Sequence, residues 1–269
     1  MIRAAIIGVS GRMGLAMVRV APGVANLSIV SAVASATSSA VGKDAGELAG
    51  CDAIGVRVTK DLPAALAQAD VAIDFSSAHA TESNLTACRQ ARKPLLIGTT
   101  GFAPGLAAAF DAAAKDIPLL VAPNTSVGVT LLIELVREAA RALPSQFDIE
   151  IVEAHHRMKR DAPSGTALAL GRAAAEGRNQ LFDSSHPTMR QDGVPRQDGD
   201  IGFAVVRGGD IVGEHSVLFA GIGETLTLSH RATDRAIFAR GALQAAAWLA
   251  SRPPGRYFMR DLVAYKSGG

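Results

Sequence analysis

Short apolar runs rich in β-branched residues alternate with helical stretches along the first half of the chain. The strand candidates are residues 2–7, 27–34, 71–75, 94–97 and 118–121. The helix candidates between them are residues 12–20, 62–69, 77–91 and 104–115. Strands that alternate with helices in this way predict an α/β domain built on a doubly wound parallel sheet.

The pattern changes after Asn124. A long amphipathic helix at 128–143 is followed by a strand at 147–152 and a polar, turn-rich stretch at 178–200 that predicts a mobile loop. Runs at 201–206 and 211–219 predict a hairpin around Gly208 and Gly209, with a third strand at 225–230 and a last helix at 233–250. We therefore expect a smaller α+β domain over residues 127–236, with an open mixed, mostly antiparallel sheet. Residues 1–126 and 237–269 form the other domain.

Composition narrows the class of protein. The 269 residues carry a net charge of only +2, which favours neither a nucleic-acid binder nor a protein of the membrane surface. The two cysteines, Cys51 and Cys88, form no CxxC pair and fit a reducing compartment. No apolar run reaches transmembrane length, and Gly8 interrupts the apolar start that a signal peptide would need. The sequence indicates a soluble cytoplasmic protein.

A glycine-rich turn joins the first strand to the first helix. It comprises Gly8, Val9, Ser10, Gly11, Arg12, Met13 and Gly14. Glycines at such a turn let the backbone approach a pyrophosphate at a helix N-terminus, which indicates a Rossmann-like, dinucleotide-binding domain. The spacing is GxxGxxG rather than the commoner GxGxxG, so an ordinary glycine-rich turn remains the alternative.

The end of the second strand bears on the choice of cofactor. Domains that bind NAD usually carry an acidic residue there, which holds the ribose hydroxyls. Here the strand ends in Ala34 and Ser35, and no acidic residue precedes Asp44. Without a carboxylate to repel a 2′-phosphate, we expect NADPH, or both NADPH and NADH, to be used.

Two further turns follow predicted strands. One comprises Gly98, Thr99 and Thr100, and the other comprises Ala122, Pro123, Asn124 and Thr125. Ligands of open α/β sheets bind at the carboxyl ends of the strands, so both turns could line the cofactor site. Each could equally be a strand-to-helix turn with a good N-cap.

Residues 153–167 bring acid–base groups and a helix start together. His155, His156 and Lys159 can exchange protons, and the Ser-Gly-Thr turn that follows opens a helix. Pro163 is expected at the first helical position, with the amides of Gly165 and Thr166 directed at an anion. The alternatives are a solvated polar loop and a metal site, for which lysine is a poor ligand.

With these segments in view, the chain resembles the 4-hydroxy-tetrahydrodipicolinate reductase family, formerly called dihydrodipicolinate reductases. The resemblance covers the whole length and rests on residues 8–14, 73–75, 98–102, 124–128, 153–167 and 207–215. It implies a reductase of lysine biosynthesis, a homotetramer joined through the sheet of the second domain, and a small cyclic dicarboxylate as substrate.

The resemblance also implies roles for individual residues. His155 would serve as proton donor or acceptor and Lys159 as proton donor, with His156, Gly165 and Thr166 binding substrate. The cofactor would contact Gly8 to Met13 and the turns at 98–100 and 122–125. Many members carry Glu then Arg where this chain has Ala34 and Ser35, so the cofactor preference does not follow from the resemblance. The remaining histidines, His79, His186, His215 and His230, are expected to be structural. His215 lies on a predicted strand and could reach the cleft, but a satisfied histidine at a strand edge is the expectation.

Two other functions fit parts of the pattern. Another two-domain NAD(P)-dependent reductase would be expected to show a catalytic cysteine or a different acid–base group. A non-catalytic NAD(P)H-sensing regulator would have no reason to keep His155, His156 and Lys159 together.

Overall fold

The computed structural model describes residues 1–102, 105–183, 188–189 and 193–267. The chain divides into two compact units, residues 1–127 with 236–269 and residues 128–235. Among the described residues, no helix has the length and apolar character needed to cross a membrane.

The first unit contains seven of the strands and most of the helices. The strands are β1 (Ile2–Ile7), β2 (Leu27–Val33), β3 (Val58–Thr59), β4 (Val71–Asp74), β5 (Leu95–Ile97), β6 (Pro118–Val121) and, near the C-terminus, β12 (Gly255–Tyr257), which makes seven in its sheet. The helices are α1 (Arg12–Val20), α2 (Ala45–Leu48), α3 (Leu62–Gln68), α4 (Ala78–Gln90), α5 (Leu106–Ala114), α8 (Ala236–Leu249) and α9 (Met259–Ser267).

The seven strands form one sheet in the order β12-β6-β5-β4-β1-β2-β3, and every pairing in it is parallel. The chain runs outward from β1 to β3 and then returns to the other side of β1 as β4. The order of strands therefore reverses between β1 and β4, which is where ligands of open α/β sheets bind. The predicted doubly wound, Rossmann-like sheet is confirmed.

Successive residues of a strand face opposite sides of a sheet, so each strand of the first unit contributes to two cores. Ile6 of β1 packs with Met17 of α1 and Leu243 of α8 on one side. The next residue, Ile7, packs with Leu66 of α3 and Phe110 of α5 on the other. This two-sided burial explains why these strands are almost continuously apolar.

The second unit has a five-stranded mixed sheet covered by helices on one face. Its strands are β7 (Asp148–His155), β8 (Thr188–Met189), β9 (Ile201–Arg207), β10 (Gly213–Gly221) and β11 (Glu224–Ala232), in the order β11-β10-β7-β9-β8. Its helices are α6 (Val127–Ala142), which starts at the end of the first unit, and α7 (Gly165–Gly177). Ile151, Phe203 and Phe219 of the sheet pack against Val136 of α6 and Leu170 of α7.

The predicted hairpin between β9 and β10 is wrong. Both strands pair with β7, β9 in parallel and β10 antiparallel, so β7 lies between them. Two strand spacings amount to about 10 Å, and the five residues 208–212 can span up to ~17 Å, so this connection is long enough to step over β7. The hairpin is formed instead by β10 and β11, which are paired from Gly213–Ala232 to Gly221–Glu224.

Several short elements lie where the sequence predicted none. They are α2, β3, β12, α9 and β8, the last of which pairs in parallel with β9 inside the stretch expected to be a loop. Much of that stretch, residues 184–187 and 190–192, lies outside the described residues, as does Pro104 at the start of the predicted helix 104–115. All of these elements except the nine-residue α9 have two to four residues, which carry too little periodicity to be recognised from sequence.

The close approach of α1 to the glycine turn generates a stability prediction. A Cβ at Gly14 would lie 2.5 Å from Gly8 O and from Val9 Cα, both backbone atoms that cannot turn away. We expect Gly14→Ala to destabilise the protein by about 1–3 kcal/mol, the usual range for overpacking. Gly23→Ala is the control, because a Cβ there would meet nothing within 4 Å. Equal urea midpoints for the two variants would contradict the prediction.

Candidate functional site

The glycine turn between β1 and α1 is shaped by backbone contacts. Gly8 has φ +86°, and a Cβ on it would lie 2.7 Å from Phe75 O. Gly8 N and Val9 N donate to Val33 O at 2.9 and 3.1 Å, which ties the turn to the end of β2. Gly11 is the N-cap of α1 and brings no side chain to cap it, and the first turn of the helix contains no acidic residue. The first amides of α1 are therefore suited to an anion.

The residues expected at the ribose end follow β2. Ala34 is buried and its N–H donates to Thr59 O at 3.0 Å. Ser35 is exposed, with its hydroxyl 3.4 Å from Thr37 Oγ1. The structure thus places an uncharged, hydroxyl-bearing surface beside the glycine turn.

The two later turns lie at the same edge of the sheet, after β5 and β6. Gly98 N donates to Asp74 O at 2.9 Å, and a Cβ on Gly98 would lie 2.0 Å from the Phe75 ring. Thr99 is buried and Thr100 exposed. Across the edge, Ala122 N donates to Ile97 O at 2.9 Å.

The turn after β6 leads into α6 and is held by its own side chains. Pro123 is followed by Asn124, whose Oδ1 accepts from Ser126 N at 2.9 Å. The hydroxyl of Thr125 donates to Phe238 O at 2.7 Å, so it has a structural bond already. All the residues expected to contact the cofactor therefore lie at the carboxyl edge of one sheet.

In the second unit, the C-terminal end of β7 carries a buried acid–base pair. Glu153 and His155 are two residues apart on a strand and so face the same side. Glu153 Oε2 lies 2.6 Å from His155 Nδ1, and the two residues are 1% and 9% exposed.

Arg207, at the end of the neighbouring strand β9, neutralises this carboxylate. Its Nη1 donates to Glu153 Oε2 and its Nη2 to Oε1, both at 2.8 Å. Arg207 Nη2 also donates to Asp161 O at 2.6 Å, which ties the segment after β7 to the sheet. A bidentate pair of this kind is the strongest geometry for an arginine and a carboxylate.

The helix α7 starts two residues later than predicted, at position 165 rather than 163. Its first residue is Gly165 and its N-cap is Ser164, whose hydroxyl accepts from Ala167 N at 3.2 Å. Pro163 precedes the cap, so its predicted place at the first helical position is wrong. Ser164 takes the N-cap position because its hydroxyl can accept a hydrogen bond from an amide of the first turn, and proline has no side-chain acceptor to do so. The Ser164 N–H donates in turn to Glu153 Oε1 at 2.9 Å.

His215 belongs to the same cluster, and its expected place as a satisfied histidine at a strand edge is wrong. It lies on β10, an inner strand, and is 4% exposed. Its Nε2 is 3.1 Å from Ser164 Oγ, and its Nδ1 has no hydrogen-bond partner among the described residues. The His155 and His215 rings meet edge to face, with centroids 5.1 Å apart.

Burial and hydrogen bonding set the charges of this cluster. Burial alone would raise the pKa of Glu153, but the bonds from Arg207, His155 and Ser164 outweigh it and hold the pKa below its usual value. Burial lowers the pKa of His155; Glu153 raises it in part, and Lys159 and Arg207 lower it. Burial, with His155 nearby, lowers the pKa of His215 to about 4. The resting cluster therefore holds one carboxylate and two neutral imidazoles near pH 7.

The other predicted site residues surround the start of α7. Lys159 Nζ donates to Asp161 Oδ2 at 2.8 Å, and the Lys159 N–H donates to His156 O at 3.1 Å. His156 is half-buried. Gly165 is exposed and faces open space, and Thr166, half-buried, is next along the helix. These residues combine a cation, an imidazole and a helix N-terminus, which suits a small anionic substrate that takes up a proton.

Sequence reasoning missed four members of this cluster: Glu153, Ser164, Arg207 and His215. One signal for Glu153 was available, because a residue two positions before His155 on a strand must share its face. Arg207 and His215 come from strands distant in sequence, and no local pattern places them beside His155. Among the described residues, no three histidine, cysteine or acidic side chains group as a metal site.

The lowered pKa of His215 makes the stability of the protein depend on pH. The folded pKa is about 4 against an ordinary value of 6.5, so the unfolded chain binds the proton first as the pH falls between them. At ~1.4 kcal/mol per unit, the free energy of unfolding should drop by roughly 3 kcal/mol over that window from His215 alone. His155 and His230, both with lowered pKa, act in the same direction, and Glu153 adds a loss at still lower pH.

Urea unfolding at a series of pH values measures this dependence. His215→Gln should flatten the curve between pH 6.5 and 4, because it removes the group whose pKa is lowered through that range. His79→Gln, at an exposed position on α4, is the matched control and should keep the wild-type slope. An unchanged slope in His215→Gln would show that His215 is not titrating in this way.

Comparison with known proteins agrees with this geometry. Family models described as dihydrodipicolinate reductase, N-terminus and C-terminus, match residues 2–125 and 128–263. A 4-hydroxy-tetrahydrodipicolinate reductase of Anaeromyxobacter dehalogenans is 47% identical over 273 residues, covering 100% of both chains. One from Alkalilimnicola ehrlichii is 49% identical over 262 residues, covering 97% of this chain and 98% of the relative.

The fold agrees as well. The structure of a dipicolinate-bound dihydrodipicolinate reductase from Paenisporosarcina sp. TG-14 is similar with a TM-score of 0.77 and 26% identity, covering 96% of this chain and 97% of that one. The two family models together span nearly the whole chain, and the relatives match it from end to end. The chain therefore belongs to the 4-hydroxy-tetrahydrodipicolinate reductase family of oxidoreductases.

Proposed function

We propose that this protein reduces 4-hydroxy-tetrahydrodipicolinate to tetrahydrodipicolinate with NAD(P)H and loss of water, in the diaminopimelate route to lysine. Membership of the family supports the reaction class. The observation that carries the proposal to individual residues is the buried Glu153–His155 pair next to Lys159 and the start of α7. A generic two-domain reductase would not explain this cluster.

A nicotinamide dinucleotide fits the carboxyl edge of the parallel sheet. Glycines at positions 8, 14 and 98 let the segments of this edge pack closely together, since a Cβ at any of them would lie within 2.7 Å of another atom. The amides at the start of α1, from Arg12 and Met13, would hold the pyrophosphate. When bound, the cofactor supplies the hydride; the chain's own residues bind, orient and protonate.

The substrate carboxylates are assigned to the start of α7. The amides of Gly165 and Thr166 belong to the first turn of α7, at the end of the helix where backbone N–H groups are directed outward. No acidic residue lies in that turn, so an anion there meets the positive end of the helix. His156 is the further contact that we propose.

Lys159 and His155 are the proposed proton-exchanging groups. Reduction of a ring carbon conjugated to a C=N bond builds negative charge towards the ring nitrogen, and a nearby cation that can donate a proton lowers that barrier. Lys159 is the donor in this proposal. Its ammonium is held at the site by an ion pair with Asp161, and the Asp161 side chain is exposed. His155 holds or relays the proton.

Removing the Lys159 amine tests the mechanism. We expect Lys159→Ala to lower kcat by about 10²–10⁴-fold, the usual contribution of a positioned proton donor, while the urea midpoint stays close to wild type. Arg160→Ala, which removes an exposed neighbouring cation, is the control and should keep most of the activity. Oxidation of the reduced cofactor is followed at the nicotinamide absorbance band with synthase product as substrate.

Two results would count against the proposal. Near-normal turnover by Lys159→Ala would remove this residue from the mechanism. Binding of NAD(P)H by the wild-type protein with no oxidation when substrate is added would favour the alternative of a non-catalytic sensor.

Use of NADPH, or of both cofactors, is the further part of the proposal. The exposed Ser35 at the end of β2 carries no charge to repel a 2′-phosphate. Ser35→Arg should raise kcat/KM for NADPH relative to NADH by about 10-fold, since a charge-assisted hydrogen bond contributes roughly 1.5–3 kcal/mol. Ser39→Arg, at another exposed serine of the same loop, is the matched control. An unchanged NADPH/NADH ratio in Ser35→Arg would mean that the adenosine end lies elsewhere.

We also propose a cytoplasmic homotetramer joined through the sheet of the second unit. Val152 of β7 and Val206 of β9 point away from the helices and are 36% and 48% exposed. An apolar sheet face that its own helices leave uncovered is suited to a second copy of the sheet. Sedimentation analysis that finds only monomer would contradict this assembly.

A further inference from the structure

The segment 207–215 supplies three parts of the site, although the proposed reaction assigns no role to any of them. Arg207 binds the Glu153 carboxylate through two hydrogen bonds. Gly213 lies against the His155 ring, and His215 packs edge to face on it. The segment therefore surrounds His155 from two strands, β9 and β10, on either side of β7.

The donors around Glu153 determine which nitrogen of His155 carries a proton. Each carboxylate oxygen accepts two bonds: Oε1 from Arg207 Nη2 and Ser164 N, and Oε2 from Arg207 Nη1 and His155 Nδ1. The bidentate arginine keeps the group ionised, and an ionised carboxylate can only accept. His155 Nδ1 must therefore be a donor, which leaves Nε2 as the lone-pair nitrogen of the neutral ring.

Gly213 keeps space open beside that second nitrogen. A Cβ at position 213 would lie 3.0 Å from His155 Nε2 and 3.4 Å from Cδ2. Contacts this short would force the ring to shift and would crowd the nitrogen itself. The absence of a side chain at Gly213 thus leaves the Nε2 edge of the ring accessible.

We propose that Glu153, held by Arg207, is a positioning residue that keeps His155 protonated at Nδ1 and presents Nε2, beside Gly213, as the atom that exchanges a proton. The role of Nε2 rests on the proposed function, but the protonation state of the resting ring does not. The competing explanation is purely structural: Glu153 would serve only to anchor the start of α7 through the Ser164 N–H.

Nitrogen NMR on the full-length, ¹⁵N-histidine-labelled protein tests the proposed protonation of His155 at Nδ1 without any turnover. The His155 signals are assigned by their loss in His155→Gln, and spectra are taken above the pH at which this ring titrates. We expect a single Nδ1–H tautomer in the wild type. In Glu153→Gln, whose amide can donate as well as accept, we expect a mixture of tautomers. A wild-type ring protonated at Nε2 would overturn the proposal.

Steady-state kinetics test the proposed proton exchange at Nε2 and the positioning role of Glu153. For Glu153→Gln we expect kcat to fall about 10- to 100-fold with KM within about twofold, less than the ~10²–10⁴-fold that a general acid or base contributes. The limb of the pH profile that belongs to His155 should move to lower pH, because the carboxylate that raises its pKa is gone. A structural anchor would instead change the urea midpoint and leave the shape of the profile as in wild type, and that result would overturn the proposal.

Gly213→Ala keeps the proposal testable if Glu153→Gln does not fold, because it removes none of the hydrogen-bonding groups of the cluster. We expect it to lower kcat about 10-fold or more, since general acid–base catalysis depends on the reach of the proton-exchanging atom. Gly208→Ala is the matched control on the same segment, where a Cβ would meet nothing within 4 Å. Equal kcat for the two variants would show that the space beside Nε2 is not used.

The outcomes separate this inference from the proposed function. If the wild-type protein does not reduce the substrate, the proposed function fails while the tautomer measurement still stands or falls independently. If the wild type is active but His155 is protonated at Nε2, only the positioning role of Glu153 fails.

Discussion

The site of the second unit depends on one buried carboxylate and the donors that satisfy it. Glu153 is 1% exposed, and an ion so far from water is stable only when its charge and its lone pairs all have partners. Here four donors come from three places in the chain: His155 on β7 itself, the N-cap of α7, and two nitrogens of Arg207 at the end of β9. A single group thereby fixes the start of a helix, the end of a strand and the orientation of an imidazole.

That arrangement also explains the neutral character of the histidines. Desolvation lowers the pKa of both His155 and His215, and Glu153 offsets part of the effect in each, but only His155 has a direct hydrogen bond to the carboxylate. Neutral imidazoles can accept a proton, whereas Arg207 stays charged and acts on the site through Glu153. The different roles of the histidines and of Arg207 follow from geometry, since Arg207 is directed at the carboxylate by two hydrogen bonds of 2.8 Å.

Features set by residues close together in the chain could be predicted from the sequence, whereas contacts between distant strands could not. The strands and helices of the first unit were predictable because each carries its own periodicity, as β1 and α1 do on either side of the glycine turn. The order of strands in the second unit was not predictable. The alternation of apolar and polar residues along β9 and β10 indicates which side chains are buried, but not which strand lies between the two. His215 was assigned a structural role for the same reason: nothing in its neighbourhood in sequence indicates that His155 and Ser164 lie beside it.

By itself, the sequence determined the fold class, the edge of the sheet suited to a dinucleotide, and the segment that carries the acid–base groups. These are local properties, written in apolar periodicity, in glycine spacing and in the run of residues 153–167. Only the tertiary structure decided that β7 lies between β9 and β10, which brings Arg207 and His215 to the two sides of Glu153 and His155. The physical reason is that the pairing of strands and the satisfaction of a buried charge depend on groups far apart in the chain, whose meeting is decided by packing of the whole unit.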